Sequence, residues 1–151
     1  MFSYLEILQN LGKYLSERLD ENEVSVKVTP LQLTAGSTYD KLDKNITLLL
    51  NLDSVDISAI DEILEDTKPV RIKSSEYVRL AISIGKRIIA DNTNYIVEQT
   101  IEEVLNLISY KDIEGNIYYP QYISTPIIDA NYVYWRNIGI QVKLNNRIKT
   151  N

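Results

Sequence analysis

This sequence predicts an α+β fold: a mixed or mostly antiparallel sheet with two main amphipathic helices packed on one face and a long flexible loop or arm, in one domain over 1–151. Two helical stripes and one long alternating segment carry that expectation. Tyr4, Leu8, Leu11, Leu15 and Leu19 step by four, three, four and four within residues 2–19, which puts them on one side of a helix. Val97, Ile101, Val104, Leu105 and Ile108 do the same over 94–109. Between them YVRLAISIGKRII (77–89) alternates, with Val78, Leu80, Ile82 and Ile84 against Arg79, Ala81, Ser83, Gly85 and Arg87.

The remaining elements follow in chain order. Gly12 weakens the first helix by about 1 kcal/mol relative to alanine if exposed, and the polar cluster Asp20–Glu23 ends it. Val24, Val26 and Val28 alternate with Ser25, Lys27 and Thr29, a short strand closed by Pro30. Residues 31–45 show neither period and read as a long loop or extended arm. ITLLLNL (46–52) suits a central strand. Ser54 or Asp56 then caps an expected helix over 57–66 with Ile57, Ile60, Ile63 and Leu64 inward, stopped by Thr67-Lys68-Pro69.

Val70–Lys73 is a short strand or the start of the long one. Asp91 to Thr93 supply N-caps for the helix at 94–109, with Glu98 and Glu102 on a solvent side. Glu114-Gly115-Asn116 reads as a tight turn. Ile117–Tyr122 is extended, and Pro120 and Pro126 make it an edge strand or a traversing segment. Tyr132–Leu144 alternates again, and the polar tail 145–151 is expected to fray.

Composition bounds the chemistry. The 151 residues are 44% apolar and 25% charged, ordinary for a globular domain able to bury a core. The chain holds neither cysteine nor histidine. That removes disulfides, thiolate nucleophiles, the commonest general base and the commonest transition-metal ligand. A net charge of −5 argues against phosphate-gripping as the main task. No apolar run approaches the roughly 20 residues of a membrane span, and MFSYLEILQN lacks the marks of a signal peptide, so a cytosolic protein is expected.

The candidate sites are few. Glu98 and Glu102, with Glu103 beside them, are spaced to hold Mg²⁺ or to divide acid and base duties, although acids one turn apart are routine on solvated helix faces. Asp53, Asp56, Asp61, Glu62, Glu65 and Asp66 form an acidic patch without the calcium-loop pattern, a solvated face or a dock for a basic partner. Ala35-Gly36-Ser37-Thr38 lacks the second glycine and the lysine of a phosphate loop. No cofactor or metal is expected.

Tyrosine occurs eleven times, and Tyr118, Tyr119, Tyr122, Tyr132 and Tyr134 cluster in sequence beside Trp135 and Arg136. These residue types are enriched at interface hot spots, but they equally pack sheets and lend hydroxyls to nearby backbone. The strip Ala81, Ser83, Gly85, bracketed by Arg79 and Arg87, suits close approach of a second surface, such as the acidic 53–66 patch of a neighbouring copy. Contact between unlike patches of identical chains generates rings when the rotation closes. A half-exposed sheet in a monomer is the plain alternative.

The order of elements adds one further expectation. A leucine-striped opening helix (FSYLEILQNLGKYLSERL) precedes a strand ending in proline (VSVKVTP) and a loop. A long alternating strand (YVRLAISIGKRII) runs into an amphipathic helix (NYIVEQTIEEVLNLIS), and a strand closes the series (YWRNIGIQVKL). This arrangement resembles the neck and tail-terminator proteins of tailed bacteriophages, small α/β subunits that form rings capping a tail tube or joining tail to head. The resemblance implies a virion structural protein that assembles in the host cytoplasm, without catalysis or cofactor. It would contact copies of itself and adjacent connector, portal or tail-tube proteins, with DNA only as passing cargo and no membrane. Two alternatives stay open: a small monomeric acidic module of inhibitor or immunity type docking a basic partner, and an enzyme using carboxylates alone.

Overall fold

The computed structural model describes residues 4–29, 42, 44–59, 63–65, 68–70, 74–89 and 91–145. Helix α1 (Tyr4–Arg18) leads into β1 (Val24–Val28) and β2 (Ile46–Ala59). A small hairpin, β3 (Ile63–Glu65) with β4 (Lys68–Val70), precedes the long β5 (Ser74–Arg87). Helix α2 (Thr93–Leu107) is followed by β6 (Tyr110–Lys111), β7 (Ile117–Ile123), β8 (Ile127–Ile128) and β9 (Val133–Lys143). The main sheet has the order β1-β2-β5-β9-β7-β6, with β8 also on β9. Only β1 and β2 pair in parallel, so the sheet is mixed, and it is strongly curled.

Both helices cover the same face of the sheet, as the two stripes and the alternating strand predict. Ile7, Leu8, Leu11 and Leu15 of α1 and Val97, Ile101 and Val104 of α2 belong to one buried cluster. That cluster continues through Leu48 and Leu50, through Val78, Leu80, Ile82 and Ile84, and through Ile138, Ile140 and Val142. Register explains the continuity: Leu50 pairs with Ile82 and Ile82 with Ile138, so apolar residues on three strands point the same way. Burying each such side chain contributes about 1.5–3 kcal/mol. Gly12 is buried, and a Cβ there would stand 3.5 Å from Val28 Cγ2, so α1 comes close to β1 at that point.

The helix expected over 57–66 is not formed. Residues 57–59 continue β2, paired antiparallel with Ser74–Glu76 of β5, and Ile63–Glu65 lies in the small hairpin. Only Ile57, two residues beyond Val55, keeps the strand period of β2; the non-local pairing with β5 overrides the helical spacing of Ile57, Ile60 and Ile63. The expected cap residues Ser54 and Asp56 are therefore strand residues, opposite Arg79 and Tyr77. At α2 the N-cap is Asn92, but at φ −94° and ψ 10° it lies outside the extended region from which a cap side chain reaches back, and it makes no such bond. Of the loop expected over 31–45, only 42, 44 and 45 are among the described residues.

Candidate functional site

The face of the sheet away from the helices carries the strip that the sequence marked for contact. The structure fills that strip from within the chain. Gly85 pairs with Trp135, whose indole lies so close that a Cβ on Gly85 would meet Cζ3 at 2.3 Å. Gly139 pairs with Ala81 and receives the ring of Tyr122, 2.1 Å from where a Cβ would stand. Ala81, Ser83 and Gly85 are consequently buried, and so are Thr47, Leu49 and Asn51 beside them. Leu49, Val133 and Trp135 form a second small apolar cluster, packed by Leu42 and Ile127. The strip therefore presents no open surface on the single chain. Arg79 is half-buried on this face opposite Gln141, and Arg87 is exposed at the strand end.

Three features hold this cover in place. Trp135 Nε1–H donates to Asp129 Oδ2 at 2.9 Å, while Oδ1 of the same buried carboxylate accepts from the Asn131 and Val133 amides at 2.8 and 3.1 Å. Ser124 and Asn137 exchange two bonds that fix the chain beyond β7: Ser124 N–H to the Asn137 carbonyl, 2.8 Å, and Asn137 N–H to Ser124 Oγ, 3.0 Å. The ladder shifts register between Pro120 and Tyr122, which places Tyr122 opposite Gly139.

The aromatic group that is contiguous in sequence is divided in space. Adjacent strand residues point to opposite faces, so Trp135 lies on the far side while Tyr134 and Arg136 face α2. There Tyr134 Oη–H donates to Glu98 Oε1 at 3.1 Å, and Arg136 forms an ion pair with the same oxygen. Glu98 is thus engaged with β9 while its side chain stays 42% exposed, and Glu102 and Glu103 are exposed without that contact. Tyr118 is buried, Tyr119 half-buried, and Tyr122 and Tyr132 exposed. Of the acidic patch, Asp53 is exposed on β2, Asp56 lies in β2 and Glu65 in β3; Asp61, Glu62 and Asp66 lie outside the described residues. Asp53, Asp56 and Glu65 stand on strands and therefore share no helical face.

Tyr14, Tyr110 and Tyr118 form a column that ties α1 to β6 and β7. The rings stack at 4.0 and 4.5 Å between centroids, each pair tilted by 8°. The Arg18 guanidinium sits 3.8 Å above the Tyr14 ring at the outer end. Tyr14 Oη–H donates to the Leu107 carbonyl at 2.8 Å, and Tyr118 Oη–H to Asp112 Oδ2 at 3.0 Å. Burial, above all, holds the Tyr110 and Tyr118 hydroxyls well above the ordinary tyrosine range; neighbouring ring hydroxyls and the Asp112 carboxylate add to it.

Two groups of exposed apolar residues lie at the two ends of β9. Past its Val133 end, Ile88 N–H bonds the Tyr132 carbonyl at 2.8 Å and brings the strand exit beside the β8–β9 turn. Ile89 and Tyr132 are 72% and 71% exposed there, and Tyr95 and Ile128 are exposed as well. A cleft of about 530 Å³ is lined by Ile88, Ile89, Ile128 and Tyr134, with Thr93, Asn94 and Asp91. At the Lys143 end, the turn Asp112–Asn116 holds Ile113 fully in solvent. None of Ile89, Tyr95, Ile113 or Ile128 was marked as a site by the sequence, and Asp91 only as a helix cap. The one signal was an isoleucine flanked by acids in a turn, where burial is not expected. Among the described residues, no group of three or more histidine, cysteine, aspartate or glutamate side chains is placed to hold a metal, and no helix is long and apolar enough to cross a membrane.

No family model matches the chain, and no curated protein matches it.

Proposed function

We propose that this protein is a ring-forming structural subunit of a phage head–tail connector or tail terminator, acting through protein–protein assembly in the virion. The observation that carries an assembly role is the apolar end of the sheet: Ile89 and Ile128 are exposed on one cleft, and exposed Tyr132 is joined beside it by the backbone bond to Ile88. Exposed single apolar residues are ordinary, but several gathered at one place mark an interaction surface. The order of elements, a striped helix, a strand, a long strand, a second helix and a closing strand, supports the connector reading in particular. Its neighbours on this reading are copies of itself and adjacent connector, portal or tail-tube proteins, with DNA passing through.

Mass photometry of the purified chain over a broad concentration range tests the reading, with negative-stain imaging of whatever forms. Closed assemblies of a fixed copy number are expected. A strict monomer at the highest concentration, which also fails to join isolated tail or portal rings, counts against it.

A further inference from the structure

We propose that the cleft under the first turn of α2 binds a small carboxylate with an apolar body, its charged head held between Lys86 and the opening amides of the helix. Lys86 is 6% exposed, and among the described residues it has neither an ion pair nor a hydrogen bond. A lysine so deeply placed is almost always paired, because an isolated buried charge is costly. Its nitrogen is not among the fully sealed unpaired atoms, so the little of Lys86 that solvent reaches includes that nitrogen. A ligand can therefore reach it as well.

Register places Lys86 at the inner end of the cleft. It stands opposite Tyr134 and two residues before Ile88, on the helix side of the sheet. Tyr134 and Ile88 line the cleft, and so do Thr93 and Asn94 from the first turn of α2. That helix starts unaided: Asn92 makes no side-chain cap bond, and the first turn holds no acid. Its leading amides have no acceptor within the helix, and together they amount to about half a positive charge.

Ammonium and amides all donate, which defines a site for an oxyanion. Of the carboxylates close by, Glu98 is taken up by Arg136 and Tyr134. Asp91 is exposed on the cleft and makes no bond among the described residues. Its charge disfavours a doubly charged ligand, so a carboxylate fits better than a phosphate. Ile88, Ile89, Ile128 and the Tyr134 ring then cover the apolar body. The site goes beyond the assembly reading, because one chain supplies all of it.

Saturation-transfer NMR titrations of the full chain with hexanoate, acetate and hexanol, at one ionic strength, test the proposal; circular dichroism confirms folding. Hexanoate should bind about tenfold or more tighter than acetate, because its tail is buried. It should exceed hexanol by a similar factor, because hexanol lacks the charge. Lys86→Met should lower hexanoate affinity about tenfold or more and leave hexanol unchanged. Asp91→Asn, at an exposed position, should tighten hexanoate about twofold or more. Absence of hexanoate binding, or equal affinity of wild type and Lys86→Met, overturns the site. Equal binding of hexanol and hexanoate also overturns it. Should Lys86→Met fail to fold, an unchanged affinity in Asp91→Asn does the same. None of these results bears on ring formation, which mass photometry reads separately.

Discussion

Trp135 lies flat over Gly85, two residues opposite one another on β9 and β5, and the missing side chain of one is the space occupied by the other. The strip of small residues is thus shaped for an indole of the same chain. Gly85→Ala should destabilise the protein by about 1–3 kcal/mol, the range for overpacking a closed site, with the tryptophan emission shifting to the red as the ring is lifted. Urea denaturation followed by that emission checks both. Gly139→Ala should cost less, because Tyr122 is exposed and its ring has somewhere to go.

Asn51 carries a second prediction. It is 1% exposed, and neither of its amide atoms has a hydrogen-bond partner among the described residues. An unpaired buried amide costs about 1–3 kcal/mol. Asn51→Leu, of similar shape and opposite the methyl of Ala81, should leave stability unchanged or raise it. A loss of more than about 1 kcal/mol in chemical denaturation would show that the amide is satisfied in solution.

The tyrosine column makes stability sensitive to alkali. The Tyr110 and Tyr118 hydroxyls are held protonated above the ordinary range in the folded chain, mainly by burial. Unfolding releases them to a value near 10. Their contribution is therefore complete below about pH 10 and is lost as pH rises above it, because the unfolded chain sheds protons that the folded one keeps. Melting temperature should fall steeply beyond that point. In Tyr118→Phe the fall should be shallower, at the cost of the bond to Asp112.

Glu98 accepts from Tyr134 and Arg136 at once. Glu98→Gln keeps the shape and removes the charge beside a guanidinium whose side chain is 18% exposed. A loss of about 1–2 kcal/mol is expected, more than for an exposed pair because Arg136 is left partly desolvated. Glu102→Gln, one turn on and in solvent, should change nothing measurable. Paired thermal melts settle the comparison.

The fold was legible where one period acted alone. The stripe from Tyr4 to Leu19 and the alternation from Val78 to Ile84 each admit one structure, and both formed. Residues 57–66 were not legible, because Ile57, Ile60 and Ile63 carry a helical spacing, while the strand at 57–59 depends on Ser74–Glu76, distant in sequence. The strip was misread for a related reason. That Ala81, Ser83 and Gly85 are small is visible in the chain, but that Trp135 and Tyr122 arrive opposite Gly85 and Gly139 follows from strand register and a bulge. The open ends of β9 were invisible because they are defined by what fails to cover them.

β5 lies between β2 and β9, and its second neighbour ends at Lys143. During synthesis, therefore, the middle of the sheet stays half-built until Lys143 has left the ribosome. Leu80, Ile82 and Ile84 wait meanwhile with one flank unpaired. Nascent chains stalled before residue 133 should for that reason recruit chaperones, and the released full-length chain should not.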